Sequence, residues 1–306
     1  MTAAAPLRAL LERSVDYAGL FPPASLALEP ALRNHASYVR TSEAWMLGAF
    51  ILPVAQFEAA AESLAQFDRE HPLHVSALGK KTESAATFVE YLTSTRETIA
   101  SFLARHRGAA AINQLEMPLP PDVGAGAFKE ARVIVDDLKL NAFWEAPPDE
   151  AERTIKLIAE NNSGSAHRFG YKLRTGGVTA DAFPSSEEIA LALVAAATHH
   201  VPIKFTAGLH HPVRQFHPSV QTEMHGFLNV LGAGVLAVEH KWEVEQTAQM
   251  LDEKDPESFS FDDGLFAWRE WTIGIDRIKA HRRLVTSFGS CSFDEPREDL
   301  RALKFF

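Results

Sequence analysis

The chain has a single cysteine, Cys291, in 306 residues, so no internal disulfide can form. That fits a reducing compartment, and a cytoplasmic location is expected. No apolar stretch reaches the length of a membrane span. The opening "MTAAAPLRALLERSVDYAG" lacks a basic start followed by an apolar core, so no signal peptide is expected. Basic residues are also scarce: 30 Lys and Arg face 40 Asp and Glu, for a formal net charge of -10. Nucleic acid and anionic membrane surfaces both need basic patches, so neither is expected as a partner. A small-molecule substrate remains, and even an anionic one can find a locally basic pocket. A G-x-G-x-x-G fingerprint is missing too: Gly176-Gly177 lacks its spacing, and no cofactor is implied. There is no low-complexity tract, no linker and no repeat beyond the rhythm described next.

What the chain does have is a repeated switch between short apolar runs and helical periodicity. Strands are expected at "SVDYAGLF" (14–21), "MLGAFILP" (46–53), "LHVSALG" (73–79), "INQLEMP" (112–118), "NAFWEA" (141–146), "GYKLRTG" (170–176), "PIKFTAG" (202–208) and "LVTSFGS" (284–290). Several are continuously apolar, as strands covered on both faces should be. Helices fall between them. In "AQFEAAAESLAQFD" residues Phe57, Ala60, Ala61, Leu64 and Phe67 share one face. "SAATFVEYLTSTRETIASFLARH" reads as a long helix. "PSSEEIALALVAAATHH" opens with serine and carries Glu187 and Glu188 in its first turn.

The rhythm predicts a (β/α)8 barrel as one domain over residues 1–306, with an open doubly wound sheet ranked second. The last interval is too long for one βα unit, so an insertion is expected at about 242–272. There a helix, "WEVEQTAQMLDEK", precedes a hairpin turning at Asp263-Gly264. Phe259, Phe261, Phe266, Trp268 and Trp271 would pack on the barrel or on another subunit, so a homo-oligomer is compatible with this segment.

Active sites of such barrels lie at the C-terminal strand ends. The residues expected there are Asp16, Glu116, Glu145, Lys172, Arg174, Lys204, His210, His211, Ser290, Cys291 and Ser292. Alternation puts Lys172 and Arg174 on one side of their strand. A barrel-interior lysine paired with a glutamate can be purely structural. Two lysines on adjacent strands are harder to dismiss, because like charges held close depress a lysine pKa and free an amine for nucleophilic attack. Cys291 reads as a small serine substitute, since no histidine nearby in sequence would activate it.

These motifs together resemble the deoxyribose-phosphate aldolase family of class I aldolases. "VDYAGLFPP" is similar to that family's first strand. "LEMP" puts Glu116 where the family has a catalytic aspartate, and "NAFWEA" is similar to its fifth strand, ending in Glu145. "YKLRTGG" resembles the Lys-Thr-Ser-Thr-Gly motif, which implies Lys172 as the Schiff-base nucleophile. "IKFTAGL" resembles Lys-x-x-Gly-Gly, which implies Lys204 as the activating cation. "FGSCS" resembles Phe-Gly-Ala-Ser-Ser, a loop that helps to hold a phosphate. The chain departs from the pattern in several places: Asn141 stands for a lysine, Leu173-Arg174 follow the nucleophile, Ala207 replaces a glycine, "LHHP" replaces Gly-Ile-Arg, and the end reads "LKFF".

The resulting expectation is a lyase acting on a small carbonyl compound, whether phosphorylated, carboxylated or neither. Lys172 would form the imine, Lys204 would keep it partly neutral, and Glu116 with Asp16 would move protons, Glu145 standing beside them. Arg174 and the backbone at Gly176, Gly177, Gly208 and Ser290, with His210, His211 and Ser292, would bind substrate. Two alternatives stand beside it. One is a metal-assisted lyase or isomerase using Glu116, Glu145 and a loop histidine, with Lys172 as base. The other is a barrel without catalysis, serving as a binding module through its aromatic insertion.

Overall fold

A computed structural model describes residues 3–306. Eight parallel strands close into a barrel: β1 (Val15–Tyr17), β2 (Leu47–Pro53), β3 (Leu73–Leu78), β4 (Ala110–Pro118), β5 (Asn141–Glu145), β6 (Phe169–Arg174), β7 (Ile203–Thr206) and, last in the chain, β13 (Val285–Ser290). β13 sits between β7 and β1 and completes the ring. Helices alternate with the strands, so the fold is an α/β barrel of the (β/α)8 kind. Among the described residues, no helix is long and apolar enough to cross a membrane.

The inside and outside of the barrel follow from alternation. On β5, Trp144 faces out and packs edge-on against Phe88 and Phe169, with ring centroids 5.4 and 5.1 Å away. Its neighbours in the sequence, Phe143 and Glu145, therefore face in. The same rule turns Gly170, Lys172 and Arg174 inward on β6, and Lys204 and Thr206 inward on β7. Gly170 has a packing reason. A Cβ there would come within 2.5 Å of the Phe143 ring, which stands beside it in register.

Local signals place the outer helices. Ser185 accepts from the Glu188 amide while the Glu188 carboxylate receives the Ser185 amide at 2.7 Å, opening the helix Ser186–Thr198. The long helix is Ala85–Arg105. By contrast, the expected helix near residues 55–68 is only Phe57–Ala61 followed by tight turns.

The long interval between β7 and β13 holds several pieces. A hairpin of β8 (Gln215–His217) and β9 (Thr222–Met224) comes first, then the helices Phe227–His240 and Val244–Leu251. Next is an antiparallel sheet of β10 (Phe259–Asp262), β11 (Leu265–Trp268) and β12 (Trp271–Gly274). The turn at Asp263-Gly264 has positive φ at both residues, as a two-residue hairpin turn needs. The third strand, β12, extends the expected hairpin. Phe259, Phe261, Phe266 and Trp268 are buried, and Phe266 lies over Gly232 of the neighbouring helix.

Candidate active site

Register sets the site. Glu145, Lys172 and Lys204 are direct neighbours across β5, β6 and β7. Glu116 of β4 and Asp16 of β1 project into the same interior. Lys204 Nζ lies 2.7 Å from Asp16 Oδ2 and 2.5 Å from Glu116 Oε1. Lys172 Nζ lies 2.9 Å from Glu116 Oε2 and 2.9 Å from Glu145 Oε2. Arg174 then meets the far oxygen of Glu145 at 3.2 Å. Charges thus alternate in one chain: Asp16, Lys204, Glu116, Lys172, Glu145, Arg174.

The two lysines are held differently. Both contacts of Lys204 are directed hydrogen bonds, and it is completely buried over the Phe143 ring. Glu116 Oε2 is close enough to Lys172 for an ion pair, yet it lies off a hydrogen-bond direction. Lys172 is therefore held there by charge more than by directed bonding. It forms part of the lining of a cavity of about 370 Å³ at the C-terminal end of the barrel. Lys204, Glu116, Asp16 and Glu145 lie behind it and do not line that cavity.

Burial and pairing push these groups in opposite directions. Burial alone would raise the Glu116 carboxyl, but the Lys172 and Lys204 ammoniums outweigh it and hold Glu116 well below the usual range. Glu145 is lowered too, against its burial, by Lys172 and Arg174. Burial alone would lower Lys172, yet Glu116 and Glu145 outweigh it and raise the ammonium above its ordinary value. This corrects the expectation of a lysine depressed by its neighbour. Two carboxylates sit closer to Lys172 than the repulsion from Lys204 can offset.

Several expected residues fall elsewhere. Arg174, Gly177, Gly208 and His210 line the cavity, with Cys291. Gly176 does not. It packs against Gly208, where a Cβ would meet the Gly208 Cα at 2.8 Å. Nor does His211, whose Nδ1 lies 2.6 Å from Asp299 Oδ2. Ser290 and Ser292 do not line the cavity either, and their hydroxyl oxygens accept amides of the loop itself. Ser290 Oγ accepts the Ser292 amide at 3.4 Å, and Ser292 Oγ accepts the Glu295 amide at 3.1 Å. Asp16 was expected at the C-terminal strand ends. It instead lines a smaller opening at the opposite end, with Gln114 and Ser287, and reaches the lysines only through Lys204.

Other partners were not anticipated. Ser287 Oγ donates to Asp16 at 2.7 Å, Gln114 donates to it at 3.3 Å, and Ser76 Oγ donates to Glu116. Gln114 sits two residues before Glu116, so alternation alone puts it on the inner face. Cys291 also needs correcting. His210 Nδ1 stands 3.9 Å from its Sγ and 3.0 Å from Glu295 Oε2. Burial alone would lower His210, but Cys291 and Glu295 outweigh it and raise the imidazole to about 9.

No three or more His, Cys, Asp or Glu side chains are grouped to hold a metal ion among the described residues. The expected donors are otherwise engaged: Glu116 and Glu145 flank the Lys172 ammonium, and His210 faces Glu295.

No family model matches the chain, and no curated protein matches it. Among solved structures, it is similar to a GH10 endoxylanase retrieved from a sugarcane soil metagenome, at 12% identity and a TM-score of 0.40, over 83% of this chain and 86% of that one. So distant a likeness carries no argument about function.

Proposed function

We propose that the protein is a lyase of the class I aldolase type, in which Lys172 forms an imine with a small carbonyl compound. One observation carries this above the rest. Lys172 is the buried ammonium that reaches the cavity, and a carboxylate stands 2.9 Å away on each side of it. The resemblance of "YKLRTGG" and "IKFTAGL" to the aldolase motifs points to the same residue.

The raised Lys172 sets the order of events. The resting amine is protonated, so it must pass its proton to Glu116 or Glu145 before attacking. That transfer leaves the net charge of the site unchanged. The amine then adds to the carbonyl carbon, and the returning proton lets the carbinolamine oxygen leave as water. The product is an iminium with the same single positive charge as the ammonium it replaces. A carboxylate pair arranged around an ammonium therefore also suits an iminium, without reorganisation. The iminium draws in the electron pair of the adjacent carbon–carbon bond as a base removes the proton of the β-hydroxyl. Lys204 fixes the second oxygen of Glu116 and keeps that carboxylate in place.

The aromatic residues of the insertion favour this over a binding module, because most of them are spent inside the fold. The test is reductive trapping with borohydride against a panel of aldehydes and 2-oxo acids. An adduct on Lys172 that is lost in Lys172→Ala is expected. Trapping confined to surface lysines would dismiss the proposal.

A further inference from the structure

The walls of the Lys172 cavity leave none of its cationic side chains without a carboxylate. Three cationic side chains reach it: Lys172, Arg174 and His210. Each already has a carboxylate. Lys172 lies between Glu116 and Glu145, Arg174 meets Glu145 at 3.2 Å, and His210 meets Glu295 at 3.0 Å. An incoming phosphate or carboxylate would have to displace one of these partners or sit beside it. Like charges brought together at a binding site cost several kcal/mol.

The loop after β13 is closed to anions for a second reason. Its serine hydroxyls accept the Ser292 and Glu295 amides within the loop and do not line the cavity. The helix that follows, Asp294–Ala302, has Asp294 and Glu295 in its first turn. Acidic side chains there already complement the positive end of the helix, and they repel a second anion. The wall formed by β1, β2 and β3 is apolar, with Phe21, Pro22, Pro23, Ile51 and Leu78 lining it. These side chains offer dispersion contacts and a dry surface, with no donor for a charged oxygen.

We infer that the substrate is an uncharged carbonyl compound with a short apolar tail, its carbonyl at Lys172 and its tail along the Phe21–Pro23 and Ile51 wall. This rests on the imine reading of Lys172 and narrows it. The cavity of about 370 Å³ suits a small molecule of this kind. His210, already paired with Glu295, would act as a hydrogen-bonding group toward a neutral hydroxyl, with no free charge to offer a phosphate.

The experiment follows cyanoborohydride capture on Lys172 by mass spectrometry of the full-length chain. The probes are hexanal, glyceraldehyde 3-phosphate and pyruvate, each rate normalised to that of N-acetyl-lysine with the same probe. Hexanal is expected to exceed both anionic probes by at least about tenfold. Glu295→Gln, which frees His210, is expected to raise the ratio of anionic to neutral capture severalfold. An anionic probe that matches or beats hexanal in the native chain overturns the inference and leaves the imine standing. A ratio unmoved by Glu295→Gln also counts against it. No capture on Lys172 by any probe removes the imine and this inference together.

Discussion

Lys172 and Lys204 stand side by side in register on β6 and β7, and a single carboxylate serves both. Glu116 puts Oε2 2.9 Å from the first ammonium and Oε1 2.5 Å from the second. Replacing that carboxylate leaves two buried cations side by side, Lys172 with Glu145 alone and Lys204 with Asp16 alone. Removing one partner of a buried ion pair typically costs about 3–5 kcal/mol, because the remaining charge loses its compensation. Glu116→Gln should therefore lose stability of that order in chemical unfolding at pH 7. Adding Lys204→Met should restore part of it, with a coupling of about 1–3 kcal/mol in the double-mutant cycle. A Glu116→Gln effect within about 0.5 kcal/mol, as for an ordinary surface change, would show that the shared carboxylate is not what holds the two lysines.

The route of the Lys172 proton predicts a pH signature. A free lysine amine gains reactivity about tenfold per pH unit below its pKa, as the neutral fraction grows. Lys172 passes its proton to a carboxylate within the site, so no proton has to reach solvent. Its imine-forming rate should be nearly flat between about pH 6 and 9. Initial rates of cyanoborohydride capture across that range measure it. A slope near that of free lysine would mean that the proton leaves to bulk water and that Glu116 and Glu145 do not receive it.

The same groups make stability depend on pH, with signs that can be worked out. Glu116 and Glu145 are lowered in the fold, so their contribution is present above the unfolded value of about 4.3 and is lost as pH falls through the folded values. Lys172 is raised, so its contribution is complete below the unfolded value of about 10.4 and is lost as pH climbs through the folded one. His210 acts in the middle. It is raised to about 9 from an ordinary 6.5, so it stabilises fully below about 6.5 and loses that effect as pH rises through about 9. Urea midpoints should fall over that window by the equivalent of about 2–3 kcal/mol. His210→Asn should flatten this part of the curve, and an unchanged slope would assign it to another group.

How much of this could be read beforehand depends on distance along the chain. Lys172, Lys204 and Glu116 are legible because each sits inside an apolar strand, and alternation decides which way such a residue points. Axial height was harder to see. Asp16 sits on the right strand but toward the opposite end, since β1 is only three residues long and a strand this short gives few alternating positions to count. The sign of the Lys172 shift was missed for a similar reason. The order of residues showed two like charges on adjacent strands, while the carboxylates that outweigh the repulsion come from β4 and β5. Cys291 and His210 lie far apart in sequence and meet only because β13 closes the ring beside β7. Strand β12 carries a weaker signal than β10 and β11, because it follows a tight turn at Arg269-Glu270 that has no glycine, unlike the Asp263-Gly264 turn before it.

The loop after β13 gives a prediction that separates scaffolding from binding. Ser292 Oγ accepts the Glu295 amide, an otherwise unpaired donor at the start of a helix. Removing such a hydroxyl costs about 1 kcal/mol. Ser292→Ala should lower the unfolding midpoint by that amount, while capture of hexanal on Lys172 stays within about twofold, because the hydroxyl does not line the cavity. A large loss of capture without a loss of stability would mean that the hydroxyl contacts substrate after all.

The sheet β10–β12 meets the helix Phe227–His240 in a close approach that can be tested from both sides. Phe266 is fully buried and lies over Gly232 of the helix Phe227–His240. A Cβ at position 232 would come within 2.8 Å of the Phe266 ring and 2.6 Å of the Met250 methyl, so Gly232→Ala must push one of them aside. Overpacking of this kind costs about 1–3 kcal/mol. Truncating the ring, Phe266→Ala, leaves a cavity and should cost about 3–5 kcal/mol. In the double variant the new methyl fills part of the space that the ring vacated, so the two losses should fall short of their sum by about 0.5 kcal/mol or more. Additive losses would mean that the sheet and the helix do not press on each other here, and that the aromatic face of the sheet is held by other contacts such as those of Trp242 with Trp268 and Trp271.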